Sequence, residues 1–274
     1  MAQHVTIDFG KIHDTAIRGI NRAAVFLGLG VNASDHDDLN EFHLVKDTNF
    51  RILPEVVDEE TLKGWKNEFR IWIVGCGFRE MIDRFCVFLD RIHTACRVID
   101  RSNTEKIIKD FEFLGLGGKL QQLEETFAVG CPFGEQLASF YPVRNCFVHR
   151  LGRVGGQDLK RSDELTLRFM RFDSLFMPSS GGEMKIQDIF DPNSPPFVTP
   201  EDGHLGLRWT EKNLAFGNGE WVSLSPKDLT EILFFTRLCA VEVTKSALKF
   251  GKSRGVTLDK NAEQAVGGDA GDAP

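Results

Sequence analysis

The sequence lacks the patterns of metal-dependent, redox and secreted proteins. It holds six cysteines in 274 residues, none of them in a Cys-x-x-Cys pair, and no histidine cluster has the spacing of a zinc site. Scattered cysteines of this kind are typical of core residues in a reducing compartment. The glycine-rich segment 115–119 lacks the spacing of a phosphate-binding loop. We therefore expect no metal and no cofactor.

Signals for export and for membranes are missing as well. The N-terminus has no basic segment followed by an apolar run, which a signal peptide would show. No stretch of about 18 apolar residues occurs, although a spanning helix needs one. The sequence thus predicts a cytoplasmic protein with no membrane contact.

A positive net charge is also absent. The chain carries a net charge of −7 with a pI near 5.6, which argues against a protein that coats nucleic acid without specificity. Between positions 140 and 171, however, seven basic residues stand against three acidic ones, a surplus of four. The basic residues are Arg144, Arg150, Arg153, Lys160, Arg161, Arg168 and Arg171. Charge alone is compatible with a local nucleic-acid contact or with an ordinary solvated face.

Hydrophobic periodicity predicts a mainly α fold with a small antiparallel β insertion before the last helix. The predicted helices cover 14–28, 58–100, 103–127, 133–151 and 225–250, with loops over 30–58 and 177–203. Alternating residues predict strands over 164–172, 205–209 and 220–224. The β insertion therefore covers about 164–224. We expect one domain over residues 1–250 and a disordered polar tail over 251–274.

Arg144, Asn145 and His149 form the most reactive short motif in the chain. Histidine exchanges a proton near neutral pH, and arginine is a permanent forked cation suited to phosphate. The motif follows Pro142, which should kink the 133–151 element or begin a new helix, so we expect the motif at or near a helix start. On an ideal helix, five residues turn by about 140°. Arg144 and His149 therefore face different directions, whereas Asn145 and His149 share a face.

This motif, in a helical chain with a short β segment before the closing helix, resembles the HEPN superfamily. The family pattern is an arginine, often a polar residue, a few further residues and a histidine, which Arg144, Asn145 and His149 match. The resemblance implies a HEPN-like helical bundle that dimerises with its two motifs meeting across a two-fold axis. It implies a metal-independent endoribonuclease that leaves 2′,3′-cyclic phosphate and 5′-hydroxyl ends, in phage defence or a toxin–antitoxin system. RNA, with tRNA among the candidates, a second copy of the chain, and an antitoxin or sensor protein are the implied partners.

The resemblance also assigns roles to residues. His149 would act as a general base on the ribose 2′-hydroxyl or as a general acid on the 5′-oxygen. Arg144 would hold the phosphate and stabilise the charge of the transition state. Asn145 would orient His149 or bind a phosphate oxygen. Arg150 and Arg153 would extend the RNA-binding surface.

Two further positions bear on the resemblance. Glu80, on the predicted long helix, is a candidate charged helper of the motif, although Glu80 and Arg84 also have the spacing of an ordinary surface ion pair. Leu151 stands where some HEPN toxins carry a tyrosine that a partner nucleotidyltransferase modifies. Control by that route is therefore not expected.

Two other interpretations fit the same residues. The chain can be a catalytically inactive HEPN-like module that serves dimerisation or nucleotide binding within a larger complex. It can also be an ordinary helical scaffold in which Arg144 pairs with Glu135 or another acidic residue. In that scaffold, His149 bonds a carbonyl and Asn145 caps a helix. Burial separates these interpretations, because catalysis needs Arg144 and His149 partly exposed in a cleft.

Overall fold

The computed structural model describes residues 6–35, 57–101, 110–160, 162–186 and 202–256. The helices in these ranges are α1 (Phe9–Asp35), α2 (Glu59–Asp100), α3 (Leu116–Phe127), α4 (Gly134–Ala138), α5 (Phe140–Arg150) and α6 (Pro226–Ser253). The strands are β1 (Leu165–Pro178), β2 (Met184–Lys185) and β3 (Gly203–Phe216). Among the described residues, no helix is both long enough and apolar enough to span a membrane.

α1 and α2 pack against each other as an antiparallel pair. The pairing runs from Gly19 beside Arg84 to Gly30 beside Ile73, so the chain directions are opposite. Gly30 allows a close approach, since a Cβ there would lie 2.3 Å from Ile73 Cγ1. A larger residue at this position would therefore push the two helices apart.

The two longest helices, α2 and α6, begin at side-chain caps. Asp58 precedes α2, and its Oδ1 accepts a hydrogen bond from the Thr61 N–H at 2.8 Å. Ser225 and Asp228 form a reciprocal capping box at the start of α6, with Pro226 in the first turn. These contacts satisfy backbone N–H groups that have no partner within a helix. The helix start predicted at Ser225 and Pro226 is confirmed.

Phenylalanine rings join α5 to α2 and α6. Phe78 of α2 stacks on Phe140 of α5, with 5.5 Å between ring centroids, and Phe140 contacts Phe235 of α6 at 5.7 Å. All three side chains are at most 1% exposed. Burying one such ring stabilises the fold by roughly 1.5–3 kcal/mol. This cluster fixes the helix that carries the Arg/His motif.

The sheet has the order β2-β1-β3, and both pairings are antiparallel. The β1–β3 register runs from Leu165 opposite Phe216 to Pro178 opposite Gly203. Every second side chain at the start of β1 is buried, which is the alternation expected of a strand with one face on a core. That face packs against the helices, including α6.

The predicted fold class is confirmed at its coarse level. The described chain is mainly helical, with a small antiparallel sheet before the last helix. The predicted loop over 30–58 starts too early, because α1 continues to Asp35. The predicted loop over 177–203 contains β2, whose backbone pairs with the second half of β1.

The predicted strand over 220–224 is wrong. Within it, only Trp221 forms an isolated bridge, which pairs with Arg153. The Val222 N–H donates to the Gly152 carbonyl at 2.8 Å instead of joining a strand of the sheet. The segment therefore pairs with the short loop after α5, which is too brief to form a regular strand.

The expected position of the motif at a helix start is also wrong. α5 begins at Phe140, two residues before Pro142, and Ser139 separates it from α4. A proline is tolerated in the first turn because its missing N–H would have no partner within the helix. The motif consequently runs from Arg144, the fifth residue of α5, to His149 in the last turn of that helix.

Two predictions lie partly outside the described residues. Of the helix expected over 103–127, residues 110–112 are helical and α3 covers Leu116–Phe127, with a break between them, while residues 102–109 lie outside the described part. α6 extends to Ser253, slightly beyond the predicted end at 250. Residues 257–274, most of the predicted tail, are not among the described residues.

Candidate active site

One face of α5 is buried against the core, and another face is accessible to solvent. Cys146 and Phe147 are buried, whereas His149 is exposed and Arg144 and Asn145 are partly exposed. The buried pair packs against the core that the phenylalanine cluster forms. This packing leaves the three motif side chains within reach of solvent.

Asp83 of α2 holds the guanidinium of Arg144. Arg144 Nε and Nη2 donate to the two carboxylate oxygens of Asp83 at 3.0 and 3.2 Å. Arg144 Nη1 donates to Asn145 Oδ1 at 3.1 Å. The Arg144 side chain is 20% exposed. Because two contacts to one carboxylate fix the guanidinium plane, Arg144 is an oriented cation at the surface.

His149 stands in the last turn of α5 and is exposed. Its imidazole forms no hydrogen bond with any other residue that the structure describes. It is five positions from Arg144, so the two side chains leave the helix in different directions. Within one chain, the structure therefore joins Arg144 to Asn145 but does not bring His149 to Arg144.

The features expected of an ordinary scaffold are only partly present. Arg144 does have an internal acidic partner, but that partner is Asp83. Glu135 lies instead 3.8 Å from Arg168. Asn145 is inside α5 and accepts from Arg144 instead of capping a helix. His149 is exposed and bonds no described carbonyl, in contrast to the contact expected in the scaffold.

Arg150 and Arg153, the expected RNA-contacting arginines, both have partners within the chain. Arg150 forms a two-point ion pair with Asp158, whose side chain is 3% exposed. Hydrogen bonding to Asp158 raises the pKa of Arg150. Arg153 is exposed, and its Nε donates to the Gly219 carbonyl at 3.3 Å. Arg150 thus fastens the loop after α5, whereas Arg153 lies at the surface.

The charged residue of α2 that contacts the motif is Asp83 and not Glu80. Glu80 accepts from Arg84 Nε at 3.1 Å and lies 3.6 Å from Arg22 Nε, so the surface ion pair expected from the spacing is confirmed. Asp83 is three positions further along the same helix. Sequence analysis singled out Glu80 on this helix, but it could not tell which charged residue of α2 faces Arg144.

The thiol within the motif is a core group. Burial raises the pKa of Cys146 to about 11, whereas a nucleophilic cysteine needs a lowered pKa. Its neighbour Phe147 is 5% exposed. In the parts of the chain that the structure describes, no three His, Cys, Asp or Glu side chains are grouped as metal ligands.

A groove of about 690 Å³ lies beside α5, between that helix and α2. Its lining includes Trp72, Gly75, Val148, Leu151 and Trp221. Gly152 follows the lining residue Leu151; its φ of 89° suits glycine, and a Cβ there would lie 2.9 Å from the Phe147 ring. The loop after α5 can therefore turn closely around Phe147.

The structure thus assembles Arg144, Asn145 and Asp83 into one hydrogen-bonded group and leaves His149 open at the end of the same helix. An imidazole, a guanidinium and an amide suffice for proton transfer and for holding an anion. In comparisons with known proteins, no protein-family model, no curated protein and no solved structure matches the chain.

Proposed function

We propose that the chain is a metal-independent endoribonuclease of HEPN type that acts in phage defence or in a toxin–antitoxin system. The observation that carries the proposal is an exposed histidine, bound by no described residue, on the same helix as an oriented arginine. Acid–base catalysis at a phosphodiester needs a titratable group and a fixed cation. His149 and Arg144 supply these two groups.

Arg144 keeps hydrogen-bond donors for a phosphate. A guanidinium has five N–H groups, of which Asp83 takes two and Asn145 takes one. One N–H therefore remains on each terminal nitrogen. Two such donors can bind two phosphate oxygens in the forked geometry that distinguishes arginine from lysine.

A homodimer would complete the site. Arg144 and His149 leave α5 about 140° apart, so one chain cannot easily place both on one phosphodiester. With α5 near a two-fold axis, the histidine of one protomer would lie opposite the arginine of its partner. One histidine would remove the 2′-hydroxyl proton while the other protonates the 5′-oxygen that leaves. The products are then a 2′,3′-cyclic phosphate and a 5′-hydroxyl.

Incubation of the purified chain with tRNA and with a single-stranded RNA in EDTA tests the proposal. The unaltered protein should cleave RNA, and His149→Ala should lose about 10²–10⁴-fold in rate, the usual loss when a general acid or base is removed. His204→Ala is the matched control, since His204 is also exposed but lies on β3. Equal cleavage by His149→Ala and the unaltered chain would contradict the proposal.

A catalytically inactive HEPN-like module is the second candidate. The ion pair with Asp83 favours it, because that contact neutralises the charge of Arg144. Such a module would provide dimerisation or nucleotide binding within a larger complex that includes an antitoxin or sensor protein. A folded dimer that binds RNA in EDTA but leaves every RNA intact would favour this candidate over the enzyme.

A further inference from the structure

The groove beside α5 exposes two of the four tryptophans of the chain. Trp72 of α2 is 56% exposed, and Trp221, in the segment that pairs with the loop after α5, is 46% exposed. Two open indole rings on one concave surface are typical of a binding site, because aromatic rings gain much from leaving water. The groove therefore offers two flat apolar faces to a ligand.

Leu151 adds an apolar side chain at the same place. It is 69% exposed and lines the groove. Its φ of 54° lies in the left-handed region, which costs a residue with a Cβ roughly 1–2 kcal/mol relative to the ordinary helical conformation. At this position of the groove wall, the chain therefore has a leucine in a backbone conformation that a glycine would adopt more easily.

Arg144 does not line the groove, but it lies one helical turn from residues that do. Arg144 and Val148 have the i, i+4 spacing of one face of α5, and Val148 lines the groove. On α2, Arg79 lines the groove, and Asp83, which holds Arg144, is one turn further on. One turn is about 5.4 Å. A phosphate held at Arg144 would therefore have its neighbouring nucleotide at the mouth of the groove.

Charge and polarity within the groove suit a nucleotide. Arg79 is exposed and forms no ion pair with any residue that the structure describes. Asn67 and Glu68 line the groove as well and provide the amide and carboxylate groups that read the edges of unpaired bases. Aromatic faces, a cation and polar edges together match a base and its phosphate better than an aliphatic ligand.

We propose that this groove binds an unpaired nucleotide of the RNA substrate beside the phosphate that is cleaved, with the base stacked on Trp72 or Trp221. This inference rests on the proposed function, whose substrate it narrows to single-stranded RNA or to loops. Bases of unpaired RNA stack on aromatic side chains, whereas bases within a double helix are not available. The groove volume of about 690 Å³ lies in the usual range for small-ligand sites.

Binding of a fluorescently labelled single-stranded RNA to the full-length chain in EDTA tests the inference. All variants carry His149→Ala, so that the RNA stays intact during the measurement. Adding Trp72→Leu, or Trp221→Leu, should weaken binding on the order of tenfold to a hundredfold, since stacking of one base contributes that much. RNA should also quench the tryptophan fluorescence of the His149→Ala chain, and less so when Trp72 is replaced.

Phe113→Leu in the same background is the matched control. Phe113 is 86% exposed and does not line the groove, so its loss should leave RNA affinity unchanged. A blunt double-stranded RNA of the same sequence should bind more weakly than the single strand. Unchanged affinity of the Trp72→Leu and Trp221→Leu chains, or equal affinity for both kinds of RNA, would overturn the inference.

The outcomes separate this inference from the proposed function. If the unaltered chain cleaves RNA but the groove variants bind as tightly as their parent, the groove does not bind the nucleotide, whereas the ribonuclease proposal is supported. If RNA binding depends on the groove but the unaltered chain never cleaves RNA, the ribonuclease proposal is wrong, whereas the nucleotide-binding site is supported. If Trp72→Leu instead turns a dimer into a monomer in sedimentation, the groove is covered by a second copy and the inference is wrong.

Discussion

At the scale of single residues, Asp83 determines how Arg144 is presented. It contacts the guanidinium through both carboxylate oxygens and has no assigned contact with substrate, so we regard it as a positioning residue. Asp83→Asn keeps an acceptor but loses the charge and one of the two matched acceptors. We expect kcat to fall by about a hundredfold, the loss typical of a misplaced reacting group, while KM stays unchanged or falls. Steady-state cleavage of a short RNA measures both constants.

Glu80→Gln provides the control for Asp83→Asn. Glu80 lies on the same helix and is paired with Arg84 and Arg22, so its neutralisation should leave kcat within about twofold, as expected of a surface ion pair. Asp83→Glu should recover part of the lost activity because it restores the carboxylate. A larger loss for Glu80→Gln than for Asp83→Asn would show that the wrong helper has been assigned.

At the scale of elements, an ion pair helps to fix the loop after α5. The side chain of Asp158 is almost fully buried, and it binds Arg150 and accepts from the Gly155 N–H at 3.0 Å. Asp158→Asn should lower the free energy of unfolding by roughly 1–3 kcal/mol, because it leaves a cation without its charged partner. Urea unfolding measures this change. Asp163→Asn, at an exposed site, should stay within about 0.5 kcal/mol of the unaltered chain.

The capping box at the start of α6 makes a second local contribution to the free energy of unfolding. Ser225 Oγ accepts from the Asp228 N–H at 3.1 Å, and the Ser225 N–H donates to the Asp228 carboxylate at 2.9 Å. Ser225→Ala should cost about 1 kcal/mol of stability through loss of the cap. The matched variant Ser223→Ala, two residues earlier at an exposed site, should cost much less. Equal losses in urea unfolding would mean that the cap contributes nothing specific.

Elements were more predictable from sequence than the contacts between them. Helical periodicity predicted α6 from residue 225 onward, since that signal is local. The segment around Trp221 reads as a strand, yet it pairs only with the loop after α5, and no local pattern encodes that choice. For the same reason the motif itself was visible in the sequence, but its contact with Asp83 was not. That contact depends on where α2 passes α5, which is set by the packing of the whole core.

At the scale of the whole molecule, His93 should make stability depend on pH. Its ring is 3% exposed, stacks on Phe111 with 3.9 Å between ring centroids, and its Nε2 has no partner among the described residues. Burial, followed by the positive charges of Arg97 and Lys119, lowers the pKa of His93 to about 4 from an ordinary value of 6.5. The folded state therefore favours the neutral ring.

The sign of this effect follows from the lowered pKa. The contribution of neutral His93 to the free energy of unfolding is fully present above pH 6.5 and is lost as the pH falls towards 4. The unfolded chain binds the proton at a higher pH than the folded chain does. The loss reaches about 3 kcal/mol for this group. His93→Phe retains an aromatic ring against Phe111 and should show a flatter stability profile in urea unfolding between these pH values. Ser223→Ala, which removes no titratable group at an exposed site, should keep the slope of the unaltered chain.

The most direct test of the ribonuclease proposal is cleavage of a short RNA compared with the same RNA carrying 2′-deoxyribose at the cleaved nucleotide. Both reactions contain EDTA, and mass spectrometry identifies the product ends. If His149 activates the 2′-hydroxyl, the RNA yields 2′,3′-cyclic phosphate and 5′-hydroxyl ends and the deoxy-substituted site stays intact. Cleavage at the deoxy site, products with 5′-phosphate ends, or no cleavage of either strand would contradict the account.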